Sequence, residues 1–131
     1  MTTVKGSRML ICIAIPLYSE LAMDPISMMN FRSTVFKALG DPSRLKILEF
    51  LRTGEKCACD IVPTVGFAQP TVSRHLKVLI DCGILKRRKE GNKMLYSVTS
   101  RKVYDLVDLV DPHLIDSLSK NVIARIQQGY R

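Results

Sequence analysis

The stretch Cys57–Leu79, CACDIVPTVGFAQPTVSRHLKVL, decides the fold of this 131-residue chain. It opens on two thiols, Cys57 and Cys59, and closes on a short basic segment. Within Gln69–Asp81, Val72, Leu76, Leu79 and Ile80 recur at helical spacing and are expected to face a core. Thr71, Ser73, Arg74 and Lys77 then project away from it. A shorter helix is expected near Asp60–Val65, stopped by Gly66. The connection Gly66-Phe67-Ala68 is short enough to be the turn of a helix-turn-helix.

The thiols constrain where that shorter helix begins. Residues two apart on an α-helix point roughly 200° apart, so their sulfurs could not share a ligand from within it. Pro63 also has no N–H for the carbonyl of Cys59. The helix is therefore expected to start near Asp60, with Asp60 as its cap. Cys57 and Cys59 would then lie at or just before its N-terminus, where the chain bends to converge them and the helix dipole favours thiolate.

Working outward, Asn30–Leu39 reads as a helix with Phe31, Val35, Ala38 and Leu39 on one face, stopped by Gly40. Asp41-Pro42-Ser43 starts the next: aspartate caps, and proline has the φ suited to the first helical position. Leu45, Ile47, Leu48 and Leu51 form its inner face, and Thr53-Gly54-Glu55 ends it. After the basic helix, Ile84–Lys89 and Lys93–Val98 flank Glu90-Gly91-Asn92 as a β-hairpin. Thr99 or Ser100 is expected to cap a fifth helix, broken by Asp111-Pro112 and resumed through Leu114, Ile115, Leu118, Val122 and Ile126. The order predicts a mainly α fold with a β-hairpin wing (α+β), a winged helix-turn-helix. Its divisions are an N-terminal extension over 1–30, the DNA-binding domain over 31–110 and a C-terminal helix over 111–131.

Composition agrees with a globular domain: 47% of residues are hydrophobic and 24% charged. The net charge is +8, and it is unevenly spread. Residues 68–96 carry seven basic and two acidic groups, so most of the excess lies in the basic helix and the hairpin. A polyanionic partner is implied. Gln69, Thr71, Ser73, Arg74 and Lys77 suit a DNA groove, where phosphates want cations and hydroxyls and base edges want bidentate groups. Arg87, Arg88, Lys89 and Lys93, with Lys86, would let the wing reach the backbone or the minor groove. His75 is a further candidate, although a histidine beside Leu76 is as often half-buried and structural.

No run approaches the roughly 18 apolar residues of a membrane span, and no membrane partner is expected. Met9–Leu17, following Lys5 and Arg8, imitates a signal peptide, but nothing downstream looks secreted and the expected location is the cytoplasm. Met23, Met28 and Met29 offer later starts that would leave residues 1–22 outside the native chain. Of four cysteines, Cys57 and Cys59 are too close to staple a loop, and Cys82 reads as a buried structural thiol.

Ala38-Leu39-Gly40-Asp41-Pro42-Ser43-Arg44-Leu45-Lys46-Ile47-Leu48, Cys57-Ala58-Cys59-Asp60 and Gln69-Pro70-Thr71-Val72-Ser73-Arg74-His75-Leu76-Lys77-Val78-Leu79 together resemble the ArsR-type (ArsR/SmtB) metalloregulators, over about residues 31–110. The resemblance implies a homodimeric winged-helix repressor that leaves a palindromic double-stranded operator when it binds a metal or metalloid ion, and no enzymatic activity. The apolar ends, 9–21 and 103–126, hold more Leu, Ile and Val than one small domain needs, which fits a dimer interface. One departure is Ala68, where the family often has serine; alanine cannot cap, at a cost of about 1 kcal/mol.

Thiolates are soft ligands. In the family a Cys-x-Cys pair at this place is the inducer site, implying As(III) or Sb(III), with Cd, Pb or Zn as alternatives, and no resident cofactor. Two sulfurs are incomplete for trigonal As(III), and Cys12, from the partner's N-terminal arm, is the candidate third. A thiol–disulfide switch would use the same pair. A second family site needs Asp and His plus a further His and Glu. Asp111 and His113 imitate half of it, but residues 114–131 contain neither His nor Glu, so no zinc site is expected there. A thiol oxidoreductase is disfavoured by the absence of a Cys-x-x-Cys and of a strand-helix-strand scaffold.

Overall fold

The computed structural model describes residues 24–129. The apolar N-terminal run and Cys12 lie outside the described residues. The first two helices begin alike. In α1 (Pro25–Leu39), Asp24 accepts the N–H groups of Ile26 and Ser27 at 3.0 and 2.9 Å. In α2 (Pro42–Leu51), Asp41 accepts those of Ser43 and Arg44 at 2.8 and 3.1 Å. The N–H of Arg44 holds the Asp41 carboxyl below its usual range. The helix expected from Asn30 therefore begins at Pro25, because Asp24-Pro25 carries the same start signal as Asp41-Pro42. Phe31, expected inside, is exposed; Val35, Ala38 and Leu39 make the inner face.

A short strand β1 (Lys56–Cys57) leads directly into α3 (Ala58–Val65), and α4 (Gln69–Asp81) follows. Gly66 ends α3 in the left-handed region, φ 78°, with its N–H on the carbonyl of Val62. The wing is β2 (Leu85–Glu90) and β3 (Lys93–Val98), paired so that Glu90 faces Lys93 across a Gly91-Asn92 turn. Gly91 has φ 60°, the conformation that two-residue hairpin turns require. On its other edge β3 pairs antiparallel with β1, giving the strand order β1-β3-β2. The sequence predicted only the hairpin, since a two-residue strand is too short to show a period of two.

The next helix, α5 (Lys102–Asp108), starts later than its expected cap at Thr99 or Ser100. Thr99 instead extends the wing, donating its N–H to the carbonyl of Ile84 at 2.9 Å. Ser100 Oγ still accepts the Lys102 N–H at 3.3 Å. Asp111-Pro112 breaks the chain as expected, and Asp111 caps α6 (Pro112–Gly129) by accepting the Leu114 N–H at 2.8 Å.

The core is made by the helix-turn-helix itself. Ile47 and Leu48 of α2, Ile61 and Val65 of α3, and Val72 and Leu79 of α4 are the fully buried side chains. Burying each is worth roughly 1.5–3 kcal/mol. Tyr104 of α5 is buried against α2, its hydroxyl donating to the carbonyl of Leu48 at 2.8 Å. That carbonyl lies in the last turn of α2, where the Arg52 N–H has turned to Glu49 instead. Arg52 stacks on the Tyr104 ring at 4.5 Å and pairs with Asp108 at 2.9 Å, fixing α5 to α2. Nothing in α6 is buried; Leu114, Ile115, Leu118, Val122, Ile123 and Ile126 stand exposed along it.

Tyr104→Phe removes the only side-chain donor to the Leu48 carbonyl among the described residues. The expected cost is roughly 1–2 kcal/mol, seen as a lower urea midpoint with an unchanged slope.

Candidate nucleic-acid interface and thiol site

Helix α4 buries Val72, Leu76 and Leu79 and presents its remaining faces outward. Gln69, Ser73, Arg74 and Lys77 are exposed, and Thr71 and His75 are half-buried. His75 lies close enough to Asp41 to act on its carboxylate, which places it toward the start of α2. Lys77 pairs with Asp81 at 2.9 Å one turn on, an exposed pair worth little stability. Ala68 caps α4 in position only, with no side-chain hydrogen bond, as its methyl group dictates. Pro70 in the first turn costs nothing there, because an N–H at that position has no helical partner.

The wing stands beside this helix. Ser73 and Lys77 of α4 and Arg87 of β2 line one groove of about 440 Å³, so the two predicted DNA-contacting elements share a surface. Arg87, Arg88, Lys89 and Lys93 are all exposed. Arg88 differs from its neighbours. Its guanidinium holds both carboxylate oxygens of Glu55, at 2.6–3.1 Å, and reaches Glu90 at 3.1 Å. The hydrogen bond from Arg88 keeps Glu55 ionised below the usual carboxylate range. Sequence reasoning missed Glu55, since no local signal links residues this far apart.

Cys57 is both the last residue of β1, opposite Leu95 of β3, and the N-cap of α3, with extended backbone at φ −74° and ψ 150°. Its Sγ accepts the N–H of Cys59 at 3.1 Å. The Cα atoms are 5.1 Å apart and the two sulfurs are in bonding contact. The expected start at Asp60 is thus corrected to Ala58. Cys57 supplies the capping acceptor, so Asp60 is not needed as cap and stands in the first turn, where its charge suits the dipole. Pro63 then lies inside the helix and leaves the Cys59 carbonyl without its helical donor. Cys57 is only 7% exposed, whereas Cys59 is open to solvent.

Cys59 also borders a cavity of about 310 Å³ whose walls are Ala58, Val62, Pro63 and, from α4, Gln69. No group of three or more His, Cys, Asp or Glu side chains gathers among the described residues in a way that could hold a metal. Cys82 is buried with its thiol on the carbonyl of Leu79 at 3.3 Å, as a structural thiol should be. No described helix is long and apolar enough to cross a membrane.

Comparison with known proteins places this geometry. Residues 41–87 match the model of the bacterial regulatory proteins of the arsR family. The arsenical resistance operon repressor of Staphylococcus xylosus is 43% identical over 82 residues, spanning 63% of this chain and 75% of that protein. A probable mercury resistance operon repressor of Streptomyces lividans is 47% identical over 74 residues, 56% of this chain and 59% of its own length. Among solved structures, Rv0081 of Mycobacterium tuberculosis superposes with a TM-score of 0.63 at 28% identity, covering 76% of this chain and 99% of that one.

The difference in exposure between the thiols is measurable. In the reduced protein a bulky maleimide should modify Cys59 well before Cys57 or Cys82, as followed by peptide mass mapping. Equal rates at Cys57 and Cys59 would contradict the capping geometry.

Proposed function

The chain belongs to the arsR family of bacterial regulatory proteins, and we propose that it is an operator-binding repressor released by As(III), or a similar thiophilic ion, at Cys57 and Cys59. The observation that carries this is the convergence of the two sulfurs at the start of α3. That helix is the support of α4, with Ile61 and Val65 buried in the same core as Val72 and Leu79. An ion that spans both sulfurs therefore acts on the base of the DNA-facing helix. The arsenical and mercury resistance repressors among its relatives support a soft inducer. Sb(III), Cd, Pb and Zn belong to the same range of ligand preference.

Double-stranded DNA is the partner of the face formed by α4 and the wing. In this reading Gln69, Ser73 and Arg74 enter the major groove, and Arg87, Lys89 and Lys93 meet the flanking backbone. The protein acts as a homodimer, which puts two copies of α4 on half-sites about 34–36 Å apart in a palindromic operator. What supports the dimer is the apolar stripe left open on α6, with Ile26, Met29 and Phe36 exposed on α1. Cys12, expected from the sequence as a third sulfur, lies outside the described residues.

A second reading is favoured by the bonding contact between the sulfurs: a thiol–disulfide switch at the same two residues. The two schemes differ in their trigger. Arsenite added under reducing conditions should weaken operator binding, and the Cys57→Ser/Cys59→Ser protein should bind DNA normally yet ignore arsenite. Release by peroxide with no response to arsenite would select the redox switch instead. For the interface, Arg74→Ala should weaken binding and lower the slope of log K against log salt by about 1. An unchanged slope would remove Arg74 from the phosphate contacts.

A further inference from the structure

We propose that Gln69 is the third contact of an oxygen-bearing ion captured by Cys57 and Cys59, hydrogen-bonding the single hydroxyl that such an ion retains. This rests on the thiol site proposed above and adds a residue from the DNA-facing helix to it.

The chemistry leaves one position to fill. Arsenous acid has three hydroxyls on a trivalent centre. Each thiol that attacks forms an As–S bond and breaks an As–O bond, its proton leaving with the departing hydroxide as water. Two thiols thus release two waters, arsenic stays trivalent, and one As–OH remains. No third Cys, His, Asp or Glu joins the two thiols among the described residues to displace it. That hydroxyl can donate and accept a hydrogen bond, and a polar side chain beside it would hold it in one orientation.

The cavity beside Cys59 supplies one. Of the described residues that border it, Ala58, Val62 and Pro63 are apolar, and Gln69 is the only polar side chain besides the thiol. Its volume of about 310 Å³ exceeds many times the roughly 30 Å³ share of a water molecule, so the hydroxyl fits. A primary amide both donates and accepts, so it can serve the hydroxyl in either sense. Being neutral, it leaves the charge of the bound ion unchanged. The placement of Gln69 on the first residue of α4 gives the contact a consequence. The same amide cannot satisfy the ion and a base edge together, so capture removes a DNA contact as it forms.

The test uses the whole chain, reduced with a phosphine, without DNA, following arsenic–thiolate absorption. Arsenite is compared with phenylarsine oxide, whose phenyl group fills the third position and leaves no hydroxyl after two thiols bind. Gln69→Ala should weaken arsenite about tenfold, the lower end for loss of an outer-shell partner. It should change phenylarsine oxide binding by less than about twofold. Equal losses for both probes, or none for either, overturn the assignment; the latter is the result if Cys12 completes the site. Should the unsubstituted protein bind neither probe, the thiol site itself fails, and Gln69 with it.

Discussion

The passage from strand to helix at Cys57 is the constraint on which the rest of this molecule depends. A residue that ends a strand and one that caps a helix want the same extended backbone, and Cys57 meets both needs at once. The chain consequently spends no loop between the sheet and α3. The wing, held through Leu95, and the helix-turn-helix, entered at Ala58, are fixed to one another at this point. The thiol itself completes the joint by accepting the N–H of Cys59. A ligand that claims this sulfur therefore competes with a structural hydrogen bond, and it does so where α3 meets the wing.

Charge follows the same geography. Cys57, Leu95 and Arg88 lie in one row across the sheet, and Glu55, just before β1, takes up the Arg88 guanidinium. The basic surface of the free protein is thus smaller than a count of lysines and arginines implies. Arg87, Lys89 and Lys93 make no ion pair among the described residues and remain available to phosphate. Exposed pairs such as Arg88–Glu55 contribute little stability. The pair is exposed, so it can open without disturbing the core.

Much of this was legible from local chemistry. Asp41-Pro42, Gly66 and Gly91 each mark one conformation that few other residues accept, and the structure places a helix start, a helix stop and a hairpin turn there. The spacing of Val72, Leu76 and Leu79 identified the buried face of α4 for the same reason. Three features escaped. Asp24-Pro25 carries the same start signal as Asp41-Pro42 seventeen residues later, but the apolar run before it obscures the boundary. Asp60 looked like a cap because aspartate ordinarily outcompetes a thiol for that role, and only the pairing of β1 with β3 shifts the start to Ala58. Glu55–Arg88 depends on which strands lie side by side, a matter of topology rather than of sequence neighbourhood.

The proposed ion site lies very close to the proposed DNA-facing helix, and that bears on release. An ion shifts the protein away from DNA only by the difference in its affinity for the free and bound forms. By reciprocity DNA must weaken the ion to the same degree. Between Cys59 and Gln69 there is one cavity, and behind them Ile61, Val65, Val72 and Leu79 are packed without solvent access. Close-packed interiors transmit displacement rather than absorb it. A change in the first turn of α3 therefore has two routes to α4, through the shared core and across the shared cavity. Pro63 weakens the resistance to such a change, since the Cys59 carbonyl lacks the helical bond that would tie that turn to the next. The first turn of α3 is thus held from the strand side by Cys57, whereas its tie to the next turn lacks the bond that Pro63 cannot donate, and Ile61 and Val65 anchor the rest of the helix in the core.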